Sequence, residues 1–260
     1  MRNREFDTIR FDVDNGVARL VLNRPDKLNA FTETMHAELR DAMQEVQTSD
    51  VIRCLVISGE GRAFSAGQDL ADLDLSNLAD VVGRNYNPLM RTITTLQIPV
   101  IAAVNGVAAG AGANLALGCD ICIAARSARF IQSFEQLGLV PDNGGTWHLP
   151  KLIGLARATA ICLTGEPVDA ETAERWGMIY RVVDDDALGE TVGKLAHRLA
   201  SGATLGHAFT KQLLRQSLTN TLDQQLDLEC DFQQAASQTA DFREGVEAFL
   251  NKRKPDFKGR

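Results

Sequence analysis

Val104-Asn105-Gly106-Val107-Ala108-Ala109-Gly110-Ala111-Gly112-Ala113-Asn114-Leu115-Ala116-Leu117-Gly118 is a run of small residues behind an apolar segment, 100–104, that Pro99 introduces. It predicts a buried strand, a glycine loop and then a helix. Small side chains at 110–113 let the backbone come close to something else. A helix beginning there would aim unpaired N–H groups and the positive end of its dipole at an anion. That anion could be a phosphate or an oxyanion that develops during a reaction. Tight helix–strand packing accounts for the same residues without any ligand, and on this stretch alone it is the simpler reading. No G-x-G-x-x-G register fits, and no G-x-x-x-x-G-K-[ST] occurs.

The 260 residues can bury a large core, as one domain or as one domain with an appendage. A net charge of −7 argues against a general nucleic-acid or anionic-membrane surface. The N-terminal residues lead into no signal-peptide core and no run reaches membrane-spanning length, so a cytoplasmic protein is expected. Five scattered cysteines fit reduced core thiols better than a disulfide framework. Cys119 and Cys122 form a C-x-x-C, but it lies in a strand-like segment with no second pair. The four histidines (His36, His148, His197, His207) are dispersed, so no metal is expected.

Outward from the central stretch, residues 6–13 and 17–23 alternate around Asp14-Asn15-Gly16, a hairpin signal. Thr32 can cap a helix to about residue 47, with Met35, Leu39, Met43 and Val46 on one face. Residues 53–59 read as a strand buried on both faces. Residues 71–82 read as a mobile lid, 86–96 as a helix, and 121–125 with 129–131 as a strand pair. The segment 134–147 reads as a loop. Helices are expected at 156–163 and, capped by Asp169, at 170–176, followed by a strand at 179–183. From 186 onward the pattern is helical, the last helix opening with a capping box from Asp241 to Glu244. Residues 201–260 are too few to bury their own apolar face, so they should pack on the core or on a second subunit.

With these loops in view, the chain resembles the crotonase (enoyl-CoA hydratase/isomerase) superfamily over nearly its full length. The likeness rests on Leu22-Asn23-Arg24-Pro25, Ala63-Phe64-Ser65-Ala66-Gly67-Gln68-Asp69-Leu70, residues 99–120 and 138–145, and Arg243-Glu244-Gly245-Val246-Glu247-Ala248-Phe249-Leu250. It implies an α/β fold, a crotonase (ClpP-like) spiral of strand-strand-helix units over residues 1–200. A C-terminal helical trimerisation region would fill 201–260, giving a homotrimer or a dimer of trimers. It implies acyl-CoA thioesters as substrates and no separate cofactor, coenzyme A being part of the substrate. The backbone N–H groups of Gln68 and Ala111 would grip the thioester oxygen. Arg24, Lys27 and the loop Ala66, Gly67, Asp69, Leu70 would cradle the coenzyme. Gly110 and Phe134 would adjoin the acyl group, and Phe257 and Lys258 would reach in from a neighbouring chain.

The two glutamates with which hydratases of the family activate water fall on Asn114 and Phe134, and neither can accept a proton. Asp142 instead occupies a position where certain isomerases and the chlorobenzoyl-CoA dehalogenases carry a working aspartate. Taken without the family, Asp142 reads as an Asx-turn residue before Gly144-Gly145. With it, Asp142 is expected to shuttle a proton, its pKa raised by an apolar pocket. The dehalogenase option lacks a suitable histidine base in the 86–96 helix. Within the superfamily, Tyr86-Asn87-Pro88-Leu89, residues 138–147, Trp176-Gly177-Met178-Ile179 and residues 221–229 resemble the ring isomerases of phenylacetate degradation. Those convert the ring-1,2-epoxide of phenylacetyl-CoA to oxepin-CoA, and 3-enoyl to 2-enoyl isomerisation would be a side activity. Phe134 and Trp147 suit a flat acyl group, or equally an ordinary core. Two alternatives stay open: a hydratase using Glu135 as a displaced acid, and a non-enzymatic RNA binder. The latter would need clustered cations, whereas only Lys252-Arg253-Lys254 looks basic, and it reads as a solvated helix end.

Overall fold

The computed structural model describes residues 6–71, 73 and 76–259. Its ten strands are β1 (Ile9–Asp14), β2 (Val17–Leu22), β3 (Cys54–Gly59), β4 (Ala63–Ser65), β5 (Val100–Val104), β6 (Val107–Ala109), β7 (Ile121–Ala125), β8 (Arg129–Ile131), β9 (Val168–Asp169) and β10 (Arg181–Val183). The helices are α1 (Glu33–Thr48), α2 (Leu78–Val81), α3 (Asn87–Thr95), α4 (Ala111–Gly118), α5 (Gly145–Ile153), α6 (Leu155–Thr164), α7 (Ala170–Trp176), α8 (Leu188–Ala200), α9 (Thr204–Gln216), α10 (Leu222–Ser237) and α11 (Ala240–Leu250).

The six-stranded sheet runs β1-β2-β3-β5-β7-β10 and the four-stranded sheet β4-β6-β8-β9. The pairs β3/β4, β5/β6 and β7/β8 each place their first strand in the large sheet and their second in the small one. A helix follows each pair. That is the expected spiral of strand-strand-helix units. The opening hairpin turns at Asn15 (φ 49°) and Gly16 (φ 79°), with Asp14 opposite Val17. Two consecutive positive φ values define a type I′ turn, which suits Asn-Gly. From β2 to β10 the large sheet is parallel.

Parallel strands are covered on both faces, so they read as continuous apolar runs whose alternate residues serve different layers. Leu55, Ile57, Val100, Ala102 and Val104 face the larger core with α1, α3 and α4. Cys54, Val56, Ile101 and Ala103 face α8 through Leu188, Val192, Ala196 and Ala200. The thiols of Cys54, Cys119 and Cys122 are unpaired, and burial pushes all three upward, Cys54 to about 12.

Every residue of α4 is buried. A helix can be enclosed on all sides only if its side chains are small or apolar, and Ala-Gly-Ala-Asn-Leu-Ala-Leu-Gly meets that condition. At Gly112 the packing against β4 is close: a Cβ would lie 2.5 Å from the Ser65 carbonyl oxygen and 2.7 Å from the Ser65 Cβ. The helix–strand packing read from the sequence is therefore present at Gly112.

Several expectations need correction. The wall helix begins at Leu78, not residue 86, and passes through a π-turn, Val82–Tyr86, directly into α3. Residues 76–82 of the expected lid thus lead into and form a helical wall, while 72, 74 and 75 lie outside the described residues. The loop expected to run to Trp147 ends at Gly144 and becomes α5, despite Pro150 inside it. The expected capping box of α11 is absent: Thr239 caps the helix, accepting from Phe242 N. Asp241 is buried and accepts instead from Lys258 N (2.7 Å) and Gly259 N (2.8 Å). Arg253 is no free cation, since it pairs with Glu244 and Glu247.

The C-terminal helices are tied to the spiral at Asp120, which binds Lys211 Nζ (2.7 Å) and Arg215 Nη2 (3.1 Å). Leu222, Phe249 and Leu250 remain exposed. No helix among the described residues is long and apolar enough to cross a membrane.

Over-filling a packed contact costs about 1–3 kcal/mol. Gly112→Ala should lose that much stability, read as a lower denaturant midpoint at unchanged slope. An unchanged midpoint would mean that β4 and α4 have room between them.

Candidate active site

The residues singled out in the sequence converge where the small sheet, the start of α4 and the loop before α5 meet. The 66–69 loop runs beside residues 28–31: Ala66 N donates to Leu28 O, Phe31 N to Gly67 O and Asp69 N to Phe31 O, all at 2.8–2.9 Å. Gly67 has φ +89°, and a Cβ there would stand 3.0 Å from Ala109 O and 3.5 Å from Ala111 N. The two loops that present Gln68 and Ala111 are thus in van der Waals contact, and only glycine permits it. Gly110 has φ 51° and ψ −125°, another glycine conformation, and its N–H is tied to Ile131 O at 2.8 Å. Neither Gln68 N–H nor Ala111 N–H has an acceptor among the described residues.

Both positions line a cavity of about 720 Å³, together with Ala66, Gly67, Leu70, Gly110, Phe134 and Asp142. The wall helix contributes Leu78, Val81, Val82 and Tyr86. At the mouth stand four exposed apolar side chains, Leu70 (51%), Leu137 (51%), Leu139 (38%) and Val140 (79%).

Asp142 is the acid of this cavity among the described residues. Its Oδ1 is buried with no hydrogen-bond partner among the described residues, and burial raises its pKa to about 6. A carboxyl in that state can hold and release a proton near neutral pH. The backbone at 142 is held firmly. Asn114 Nδ2 donates to Asp142 O at 2.9 Å and Gly145 N donates to the same oxygen at 2.8 Å. Next to it, Asn143 (φ 47°) donates through Nδ2 to Ala111 O at 3.0 Å. The Asx-turn reading of Asp142 is not what forms: its carboxyl meets only its own backbone N–H, and Gly145 N bonds the main-chain oxygen of Asp142 instead.

Other candidates fall differently. Glu135 does not line the cavity; its carboxyl lies against Gly165 at the end of α6. Trp147 is 44% exposed and faces away from the cavity, with Lys151 Nζ 3.8 Å from its ring centroid, because α5 turns His148 and Leu149 inward instead. Arg24 pairs with Asp69 (3.0 Å) and donates to Ala30 O (2.7 Å). That pair braces the 66–69 loop and neutralises one of the two cations expected to meet phosphate. Lys27 is exposed. Phe257 and Lys258 lie against α11 rather than at this chain's cavity: the Phe257 ring approaches Gly245, and Lys258 N binds Asp241.

Sequence reasoning missed three supports. Tyr86 donates its hydroxyl to Gln68 Oε1 at 2.6 Å, and burial with the Asp142 and Glu33 carboxylates nearby drives its pKa upward. His36 packs on Tyr86 and Phe31 and is lowered to about 4, chiefly by burial, so it is a neutral buttress. Asn29 is fully buried at φ 55°, with Nδ2 bonded to Glu60 O and Ala63 O. An Asn between two apolar stretches was the available signal, since Asn tolerates the left-handed region.

Residues 12–260 match the model of the enoyl-CoA hydratase/isomerase family. The chain is 52% identical over 254 residues to the 1,2-epoxyphenylacetyl-CoA isomerase of Escherichia coli, covering 95% of this chain and 97% of that one. It is 44% identical to a Rhodobacter capsulatus protein named "Probable enoyl-CoA hydratase", over 98% of this chain and 99% of that one. Among solved structures it matches an enoyl-CoA hydratase from Bacillus anthracis with a TM-score of 0.93 at 30% identity, over 98% of this chain and 100% of that one. With the spiral, the paired N–H donors and the family match together, the chain belongs to the enoyl-CoA hydratase/isomerase family.

Proposed function

We propose that this protein is an acyl-CoA isomerase in which Asp142 moves a proton along the acyl chain. One observation carries the reading: a buried carboxyl with a raised pKa, its Oδ1 without a partner among the described residues, shares a cavity with the N–H groups of Gln68 and Ala111, which have no acceptor among them. Asp142 as carboxylate takes a proton from the carbon next to the thioester carbonyl. The electron pair moves onto the carbonyl oxygen, where Gln68 N–H and Ala111 N–H receive the charge. Donors aimed at charge that develops only in the transition state lower the barrier rather than merely tighten binding. Protonated Asp142 then returns the proton further along the conjugated system, so a 3-enoyl ester becomes a 2-enoyl ester with no atom gained or lost.

The finer reading is the substrate. The likeness to an epoxyphenylacetyl-CoA isomerase and the Phe134-lined apolar cavity support the ring-1,2-epoxide of phenylacetyl-CoA going to oxepin-CoA. There the abstracted proton lies between the thioester and the epoxide carbon. Coenzyme A enters only as part of the substrate, with Arg24, Lys27 and the 66–70 loop at its phosphates and adenine. The five unpaired thiols suit a cytoplasmic enzyme. The exposed Leu222, Phe249 and Leu250 support cover by a second subunit in a trimer or dimer of trimers, which would also let Phe257 and Lys258 serve a neighbour. Sedimentation at micromolar concentration should then give a multiple of the chain mass; a monomer would remove that part of the reading.

Asp142→Asn should leave acyl-CoA binding intact and lower 3-hexenoyl-CoA isomerisation by about 10²–10⁴-fold, the usual contribution of a positioned acid–base group. Native-like turnover by this variant would refute the reading, and crotonyl-CoA hydration by the native protein at a comparable rate would favour a hydratase.

The working form is the carboxylate, so kcat/KM of the native protein should rise with pH through a limb near 6. The same burial affects folding. Below the unfolded-state pKa the carboxyl is neutral in both states and costs nothing. As pH rises through about 4–6 only the unfolded chain ionises, and native stability falls. Asp142→Asn should therefore be the more stable protein at pH 8, by about 1–3 kcal/mol, with the difference vanishing near pH 4. Denaturant titrations at the two pH values measure it.

A further inference from the structure

We propose that Asn114 is a positioning residue: its carboxamide fixes the backbone of Asp142 and so sets the aim of the carboxyl into the cavity. The proposal rests on the proton-shuttling role given to Asp142 above.

Asn114 lies in α4 one turn beyond Ala111 and is fully buried, the one polar side chain in a helix otherwise of Ala, Gly and Leu. Burying a carboxamide is costly unless its groups are bonded. Both ends are. Nδ2 donates to Asp142 O at 2.9 Å, and Oδ1 accepts from Gln132 Nε2 at 2.9 Å. A carbonyl can only accept, so the bond to Asp142 O determines which way the amide faces, and Gln132 occupies the other end. Gly145 closes the contact. A Cβ there would stand 2.4–2.7 Å from Asn114 Nδ2, Cγ and Oδ1, so glycine is what lets the loop press onto the amide.

The need for this clamp follows from the carboxyl itself. Oδ1 of Asp142 has no partner among the described residues, and no side chain among them is bonded to it. Its direction comes from the backbone that carries it, and that backbone carbonyl is gripped by Asn114 from one side and Gly145 N–H from the other. Because Asn114 and Ala111 belong to the same short helix, base and oxyanion donor share one rigid mount. Proton transfer depends steeply on such placement, a displacement near 1 Å being able to cost about 10²-fold.

The test measures 3-hexenoyl-CoA isomerisation and exchange of the α-protons of hexanoyl-CoA in D₂O. The variants are Asn114→Ala, the nearly volume-matched Asn114→Leu, and Gln132→Met, which removes the donor holding the far end of the amide. Asp142→Asn and Val192→Ala serve as references, Val192 lying in the α8 layer across the large sheet from the cavity. Both Asn114 variants should lose about 10- to 100-fold in kcat with KM within about twofold. Gln132→Met should lose less, again in kcat. Val192→Ala should lose thermal stability with kcat unchanged, so a kcat loss in the Asn114 variants is no generic effect of a weakened core. If the Asn114 variants keep native kcat while Asp142→Asn is inactive, the positioning role is wrong and the shuttle stands. Native turnover by Asp142→Asn would bring down both. If the Asn114 variants do not fold, native kcat in Gln132→Met overturns the proposal.

Discussion

The fully enclosed helix α4 is the constraint on which the rest depends. Its short side chains allow β4 to lie against Gly112 and the 66–69 loop against Ala109 and Ala111, while the loop before α5 is fastened to Ala111 O and Asn114. Two chain segments distant in sequence, 63–69 and the loop before α5, are thereby held against the start of one helix. Neither of them could approach a helix bearing larger residues there, so the size of those residues determines both the packing and the place of the unpaired N–H groups. The close packing read from the glycine run is also what brings Gln68 and Ala111 to one cavity.

The site costs stability locally. A carboxyl with a buried, unpartnered oxygen, two N–H groups without acceptors and left-handed backbone at Asn143 are each unfavourable alone. They persist because their surroundings are heavily bonded. Asn29, Asn114, Gln132 and Asn143 join loops to one another through buried amides, and the Arg24–Asp69 pair closes the outer end. Buried amides thus hold in place the few polar groups of the cavity that have no partner among the described residues.

Much of this was legible in the chain because it is written in local patterns. Asp14-Asn15-Gly16 between alternating segments could only be a hairpin, and the unbroken apolar runs at 54–57 and 100–104 could only be enclosed parallel strands. The position of Asp142 followed from family resemblance, not from the residues around it. What stayed hidden was non-local. Nothing near Asn114 in sequence announces Asp142, 28 positions later, and nothing near Arg24 announces Asp69. Trp147 was misplaced because Gly144-Gly145 and Pro150 both look like loop, whereas in the fold Gly144 sits at φ 78° ahead of α5 and starts it. For α11, Thr239 and Asp241 compete to cap the same turn, and the bonds from Lys258 and Gly259 that draw Asp241 away come from residues 17 and 18 positions on.

The rim of Leu70, Leu137, Leu139 and Val140 stands in water. An acyl ester that reaches the carboxyl must pass over these side chains, and any part of it that stays there removes apolar surface from solvent. Capture would then show a falling heat capacity, as desolvation of hydrocarbon does. Under the proposed function, the grip on a substrate's greasy portion would respond to temperature differently from the N–H contacts proposed at the thioester, so warming and cooling would shift the balance between holding the ester and turning it over.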